Sequence, residues 1–217
     1  MGCGMDRDAT WRVIDAERAA LASMLTSLSD DEWQTPSLCA GWTVRDVAAH
    51  VISSPQATAR DVVRSMLAAR GDFDRALFLE ATRSSTRPTD QIVDDYRRFA
   101  GSRRHPVGTT YVDPLIDVLV HTQDIAVPLG RRHAMPADAA AVAATLVWRR
   151  PFPFHARRRL AGYRLVATDT RWSAGRGRPV EGPVEALLLL LTGRTAAVRK
   201  IPGTSVLQLA AGKGVRS

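Results

Sequence analysis

The stretch DPLIDVLVHTQDIAVPLG, Asp113 to Gly130, combines the apolar content of a buried helix with Asp117, His121 and Asp124 at spacings of four and three. On a helix turning about 100° per residue, with Asp113 at zero, Asp124 falls at about 20°, Asp117 at about 40° and His121 at about 80°. Leu115, Ile116, Val118, Leu119, Val120, Ile125, Ala126 and Val127 take up the rest of the circumference, with only Thr122 and Gln123 as polar exceptions. Two arrangements satisfy this pattern. The line is the single wet edge of a central helix, or it is a row of charges turned inward. Inward carboxylates without partners would be costly and would need a cation. A carboxylate and an imidazole at i and i+4 offer two ligand atoms on adjacent turns, as metal sites inside helical bundles do. Two ligands hold a divalent ion poorly, so a third must come from another helix.

Four other histidines are available. His105, His133 and His155 lie in Arg- and Pro-rich connectors, where a solvated position is expected. His50, in VRDVAAHV, lies within a helix but off the Val44/Val47/Val51 stripe, on the side of Asp46 and Ser53. Periodicity alone makes it an exposed or capped histidine.

The elements that must position these groups are mostly helical. DATWRVIDAERAALASMLTSLSD carries apolar residues near helical spacing. Pro36 and Gly41 mark a turn, and TVRDVAAHVISS opens a second helix with Thr43 as N-cap and Asp46 as its capping-box partner. Pro55 ends that helix or kinks it, in which case the helix runs to about Ala69. DFDRALFLEATR reads as a short helix, and PTDQIVDDYRRFAGSR as a long one capped by Thr89. Pro114 suits the first turn of the next helix and Pro128 its stop, and Pro136 opens PADAAAVAATLVWR. After Arg149 the pattern changes. A Pro- and Arg-rich connector leads to GYRLVATDTRWSAG, which alternates like a strand pair; GPVEALLLLLTGR is an apolar helix and SVLQLA a candidate last strand.

Composition limits the alternatives. The 217 residues, 45% hydrophobic and 24% charged, suffice for a sizeable core and argue against disorder. No apolar run approaches the roughly 20 residues of a membrane span, and the N-terminus lacks a secretory pattern, so a cytoplasmic protein is expected. Cys3 and Cys39 are too few for a disulfide scaffold and are expected as free thiols, Cys39 as a small turn residue rather than a catalytic thiol. The net charge of +8 comes almost wholly from arginine, scattered rather than interleaved with aromatics. GRGRP (Gly175 to Pro179) carries an Arg-Gly-Arg-Pro core of the minor-groove kind, but its place between a strand and a helix favours a Gly/Pro turn, and nucleic acid is not the expected partner.

Three stretches appear in order: WQTPSLCAGWTVRDVAAHV (Trp33 to Val51), DVLVHTQDIAVPLG (Asp117 to Gly130) and LVATDTRWSAGRGRPVEGPVEALLLLLTGR (Leu165 to Arg194). Together they resemble the mycothiol-dependent maleylpyruvate isomerase-like family of actinobacteria, from about Ala9 to Gly212. The resemblance implies a mainly α fold, with a DinB-like metal-binding four-helix bundle over residues 1–148 and a small α/β C-terminal domain over 149–217. It implies that His50, Asp117 and His121 hold a divalent metal, usually zinc with nickel as an alternative, and that mycothiol is the thiol cosubstrate. The isomerase proper has Glu where this chain has Asp117, one methylene shorter. Asp124 matches an acidic position at the catalytic site, where it would orient His121 or handle a proton. Asp46 would do the same for His50 or serve only its capping box. Arg194 is the expected substrate-facing cation, or else a cation complementing a helix C-terminus.

Two histidines and a carboxylate leave a fourth zinc position open, the pattern of a catalytic site. The chemistry implied is isomerisation or S-transfer on a small electrophile by an activated thiol. The alternative is a bundle that binds a metal or small ligand without turnover. These motifs name neither the electrophile nor an oligomeric state.

Overall fold

The computed structural model describes residues 5–194, apart from the side chain of Asp74. Two compact units emerge, one spanning Arg7–His133 and the other built, among the described residues, on 134–194.

In the first unit, α1 (Arg7–Thr26), α3 (Val44–Ser53), α6 (Thr89–Arg98) and α7 (Asp113–Ala126) form a closed ring in which α1 and α3 each pack against both α6 and α7. This is a four-helix bundle, and the molecule as a whole is mainly helical, as expected. Its core is filled by Leu21 and Leu25 of α1, Val44, Val47, Val51 and Ile52 of α3, Ile92 and Tyr96 of α6, and Val118 and Ile125 of α7. Each fully buried aliphatic side chain of this kind contributes about 1.5–3 kcal/mol. Tyr96 satisfies its buried hydroxyl by donating to the Ala48 carbonyl oxygen at 2.8 Å, which ties α6 to α3.

Capping residues set most of the boundaries. Thr43 accepts from the Asp46 amide while the Asp46 carboxylate accepts from the Thr43 amide, the box expected from the sequence. Two further boxes had not been expected. Ser29 and Glu32 start a short α2 (Asp30–Gln34), and Thr58 and Asp61 start α4 (Ala59–Ala68). The second box resolves the choice at Pro55: the chain breaks and a new helix begins. Helix α5 (Phe73–Ser84) packs α4 on one side and α3 on the other. Thr89 is the first residue of α6 rather than its cap; Pro88 holds the cap position without a side-chain bond.

In the second unit, α8 (Ala137–Arg149) packs on α10 (Val184–Leu191). This compact unit takes in α8, whereas the sequence reading divides the chain at residue 148, near the end of that helix. Helix α8 carries a small, buried face of Ala139, Ala140, Ala143 and Ala144, which suits close packing. A one-turn α9 (Ala156–Arg159) interrupts the expected connector. Strand β1 (Tyr163–Ala167) pairs antiparallel with β2 (Ser173–Gly175), the expected strand pair, and parallel with β3 (Arg178–Gly182). The sequence reading places a Gly/Pro turn over GRGRP, between a strand and a helix; β3 instead begins at Arg178, and as an edge strand it tolerates Pro179. GRGRP thus runs from the end of β2 into β3. A methyl group on Gly177 would overlap the Gly162 carbonyl oxygen, and Gly177 has φ +117°. Asp169 Oδ1 accepts from the Val184 amide at 2.8 Å and so caps α10. SVLQLA lies outside the described residues.

Candidate metal centre

The capping box fixes the start of α3, and its apolar stripe turns the helix so that His50 lies toward α7. On α7, Asp117 and His121 stand one turn apart. The three side chains meet. His50 Nε2 lies 3.5 Å from Asp117 Oδ1, and His121 Nε2 lies 3.4 Å from the same oxygen. One ligand atom from each residue lies within 4.8 Å of the others. A tetrahedral zinc with bonds of about 2.0–2.1 Å has ligand-to-ligand edges of about 3.3–3.4 Å, so these two separations suit one shared ion. The Asp117 side chain, although short, reaches both rings.

The far nitrogens of both rings face carboxylates. His121 Nδ1 lies 2.8 Å from Asp124 Oδ2, and Asp124 is completely buried. His50 Nδ1 lies 3.5 Å from Glu80 Oε2 on α5, at ion-pair range but without a well-aligned hydrogen bond. The other Glu80 oxygen accepts from Ser84 Oγ at 2.7 Å. Carboxylates behind the outer nitrogens fix the tautomer that leaves each Nε2 lone pair free to ligate.

The charges are strongly coupled. Burial disfavours the charged form of His50, but pairing with Asp117 and then Glu80 outweighs it and raises its pKa to about 10. Burial pushes Asp117 up, yet hydrogen bonding to His50 and its positive charge bring it below the usual carboxylate value. Glu80 follows the same pattern, with burial opposed by His50 and Ser84. Without an ion, a protonated His50 is itself the cation between two carboxylates. Arg18 of α1 also acts electrostatically on Asp117; its guanidinium is buried and donates to the Ser102 carbonyl oxygen at 3.2 Å.

Trp42 covers the two rings. Its ring centroid is 5.1 Å from that of His50, edge-on, and 6.3 Å from that of His121, stacked at 19°.

Several sequence expectations change here. Asp113 does not join the line of charges: its carboxylate accepts from the Thr110 amide and hydroxyl at the helix start. Asp46 serves its capping box, and Glu80 stands where Asp46 had been considered, behind His50. His133 is not a solvated surface residue, since its Nε2 lies 2.7 Å from the buried Glu17. His155 is exposed, as expected. Arg194 follows α10 in the second unit and donates to the Thr192 carbonyl oxygen at 2.8 Å. Glu80 was missed altogether. A faint signal existed, because Ala76, Glu80 and Ser84 recur every fourth residue and place an acid on a stripe of small side chains, where a packing face is expected.

Residues 14–110 match the family model described as the mycothiol maleylpyruvate isomerase N-terminal domain. The fold is also that of two solved structures. Mycothiol-dependent maleylpyruvate isomerase superposes with a TM-score of 0.58 at 16% identity, over 88% of this chain and 90% of that one. A His-to-Ala mutant of that isomerase gives a TM-score of 0.59 at 14% identity with the same coverage. No curated protein sequence matches the chain.

Proposed function

We propose, for a chain whose N-terminal unit belongs to the mycothiol maleylpyruvate isomerase N-terminal domain family, a metal-dependent enzyme that activates a small thiol, mycothiol, for isomerisation or S-transfer on a small electrophile. The observation that carries this reading is the meeting of His50 Nε2, His121 Nε2 and Asp117 Oδ1, with a carboxylate behind each imidazole. Two imidazole nitrogens and one carboxylate oxygen suit zinc best, with nickel as the alternative. A zinc ion held by His50, Asp117 and His121 would supply an open coordination position and the charge that favours a thiolate there.

The remaining work falls to the chain. Asp124 and Glu80 keep the outer protons on the two rings, so neither imidazole turns away from Asp117. Trp42 shields the ring faces and narrows the approach. Asp124 is also the nearest buried carboxylate through which a proton could be held during turnover. In isomerisation the thiolate adds to a cis double bond, the bond rotates and the thiol leaves; in transfer the adduct is retained.

Metal analysis of untagged protein tests the reading. We expect about one zinc or nickel per chain in the wild type, and its loss in both His50→Ala and Asp117→Ala. Mass spectrometry of reactions with mycothiol and electrophiles should then detect adducts or isomers. A wild type that stays metal-free after reconstitution overturns the proposal. A second reading, a bundle that binds a small ligand without turnover, draws on the charge balance that a protonated His50 provides without any ion.

A further inference from the structure

We infer that Cys39 is a positioning residue: its thiol and the loop that carries it hold Asp124 against His121, and so set the donor strength and orientation of His121. This rests on the metal reading above. The loop from Ser37 to Trp42 is closed on itself. Ser37 Oγ accepts from the Cys39 amide at 3.1 Å and donates to the Trp42 carbonyl oxygen at 2.8 Å, and the Trp42 amide donates to the Cys39 carbonyl oxygen at 3.0 Å. The closed loop is fastened to α7 at one residue, twice. The Leu38 amide donates to the Asp124 backbone oxygen at 3.1 Å, and the Cys39 thiol donates to Asp124 Oδ2 at 3.1 Å.

That same Oδ2 is the atom 2.8 Å from His121 Nδ1. One buried carboxylate oxygen therefore receives both a thiol and an imidazole. The geometry also separates Cys39 from nucleophilic chemistry. Its sulfur approaches Nδ1, at 3.7 Å, rather than the Nε2 that faces Asp117. Its proton points to a carboxylate already engaged with the ring. A thiol activated by a histidine would instead face an imidazole nitrogen with a free lone pair. Loop, thiol, carboxylate and imidazole form a chain from the Trp42 wall to the ligand. The loop thus places Trp42 on the rings by one end and holds Asp124 by the other.

Cobalt(II) is the probe, added to the metal-free full-length chain and measured by chelator competition and by its visible spectrum. Cys39→Ala should weaken cobalt affinity about tenfold, as outer-shell changes do, and alter the spectrum. Cys39→Ser, which keeps a donor, should restore both. In an Asp124→Ala background, Cys39→Ala should have no further effect, because the interaction runs through Asp124. Wild-type affinity and spectrum in Cys39→Ala overturn the inference, as does an undiminished loss in the Asp124→Ala background or a failure of serine to rescue. Should Cys39→Ala not fold, alkylation by iodoacetamide in a Cys3→Ser chain decides. Cys39 should react faster once Asp124→Ala frees the thiol, and equal rates overturn the inference. A wild type that binds no cobalt sinks the metal reading itself, a result distinct from an altered Cys39→Ala.

Discussion

Helices α7 and α4 belong to the same unit and invert the usual relation between polarity and burial. Helix α7 keeps Asp124 wholly out of solvent and holds Asp117 and His121 partly buried against His50 and Trp42. Helix α4 buries none of its residues, and its Val63 and Leu67 are 57% and 75% exposed. Both sequences are amphipathic, so amphipathicity alone does not fix which side faces inward. The deciding factor is what each face meets. Helix α7 packs on α1 and α3, and its acids find imidazoles on α3 and on α7 itself and a thiol on the Ser37–Trp42 loop. Helix α4 lies outside the ring, supported chiefly by α5. Polar groups go inside where partners await them.

The contrast can be broken most strongly in the α7 core. Leu119→Ala, at a side chain 1% exposed, should destabilise the protein by about 2–5 kcal/mol in denaturant unfolding. Next comes pH. The His50 pKa stands at about 10 in the folded, metal-free protein and at about 6.5 unfolded. Its pairing therefore stabilises fully below about pH 6.5, and that contribution is lost as pH rises toward about 10. Unfolding midpoints of metal-free protein should fall across that window, and His50→Gln should flatten the fall. Smaller effects belong to α4. Thr58→Ala removes a cap worth about 1 kcal/mol to the helix, but since α4 buries nothing, the loss should appear as faster amide exchange within α4 more than as a lower global midpoint. Leu67→Ala should change stability by less than about 0.5 kcal/mol. A large loss there would mean that α4 is covered in solution.

The same contrast explains what could be read in advance. The four long helices were legible because their apolar spacing and the Thr43–Asp46 box are local signals. The pairing of Asp117 with His121 was legible because four residues are one turn. His50 was not: its distance from α7 is a tertiary fact, and its helical position looked merely polar until the family resemblance singled it out. Glu80 was harder still, because nothing in its own helix announces the imidazole it faces. Strand β3 was hidden by Pro179, whose missing amide is tolerated at a sheet edge but argues against a strand when the pairing is unknown. The packing of α8 on α10 was not legible either, because α8 looks like any other alanine-rich helix until its partner is known.

The crowding of Gly175 and Gly177 carries a consequence for anyone who surveys variants of this chain. Any side chain at either position would collide with backbone, with the Tyr163 carbonyl oxygen in one case and that of Gly162 in the other. In a saturation library the two positions should tolerate almost nothing, while the exposed Arg176 between them should tolerate many substitutions. Such a profile, two fixed glycines set among basic residues, resembles the imprint of ligand recognition. Here it would record only how closely two strands and a turn approach one another.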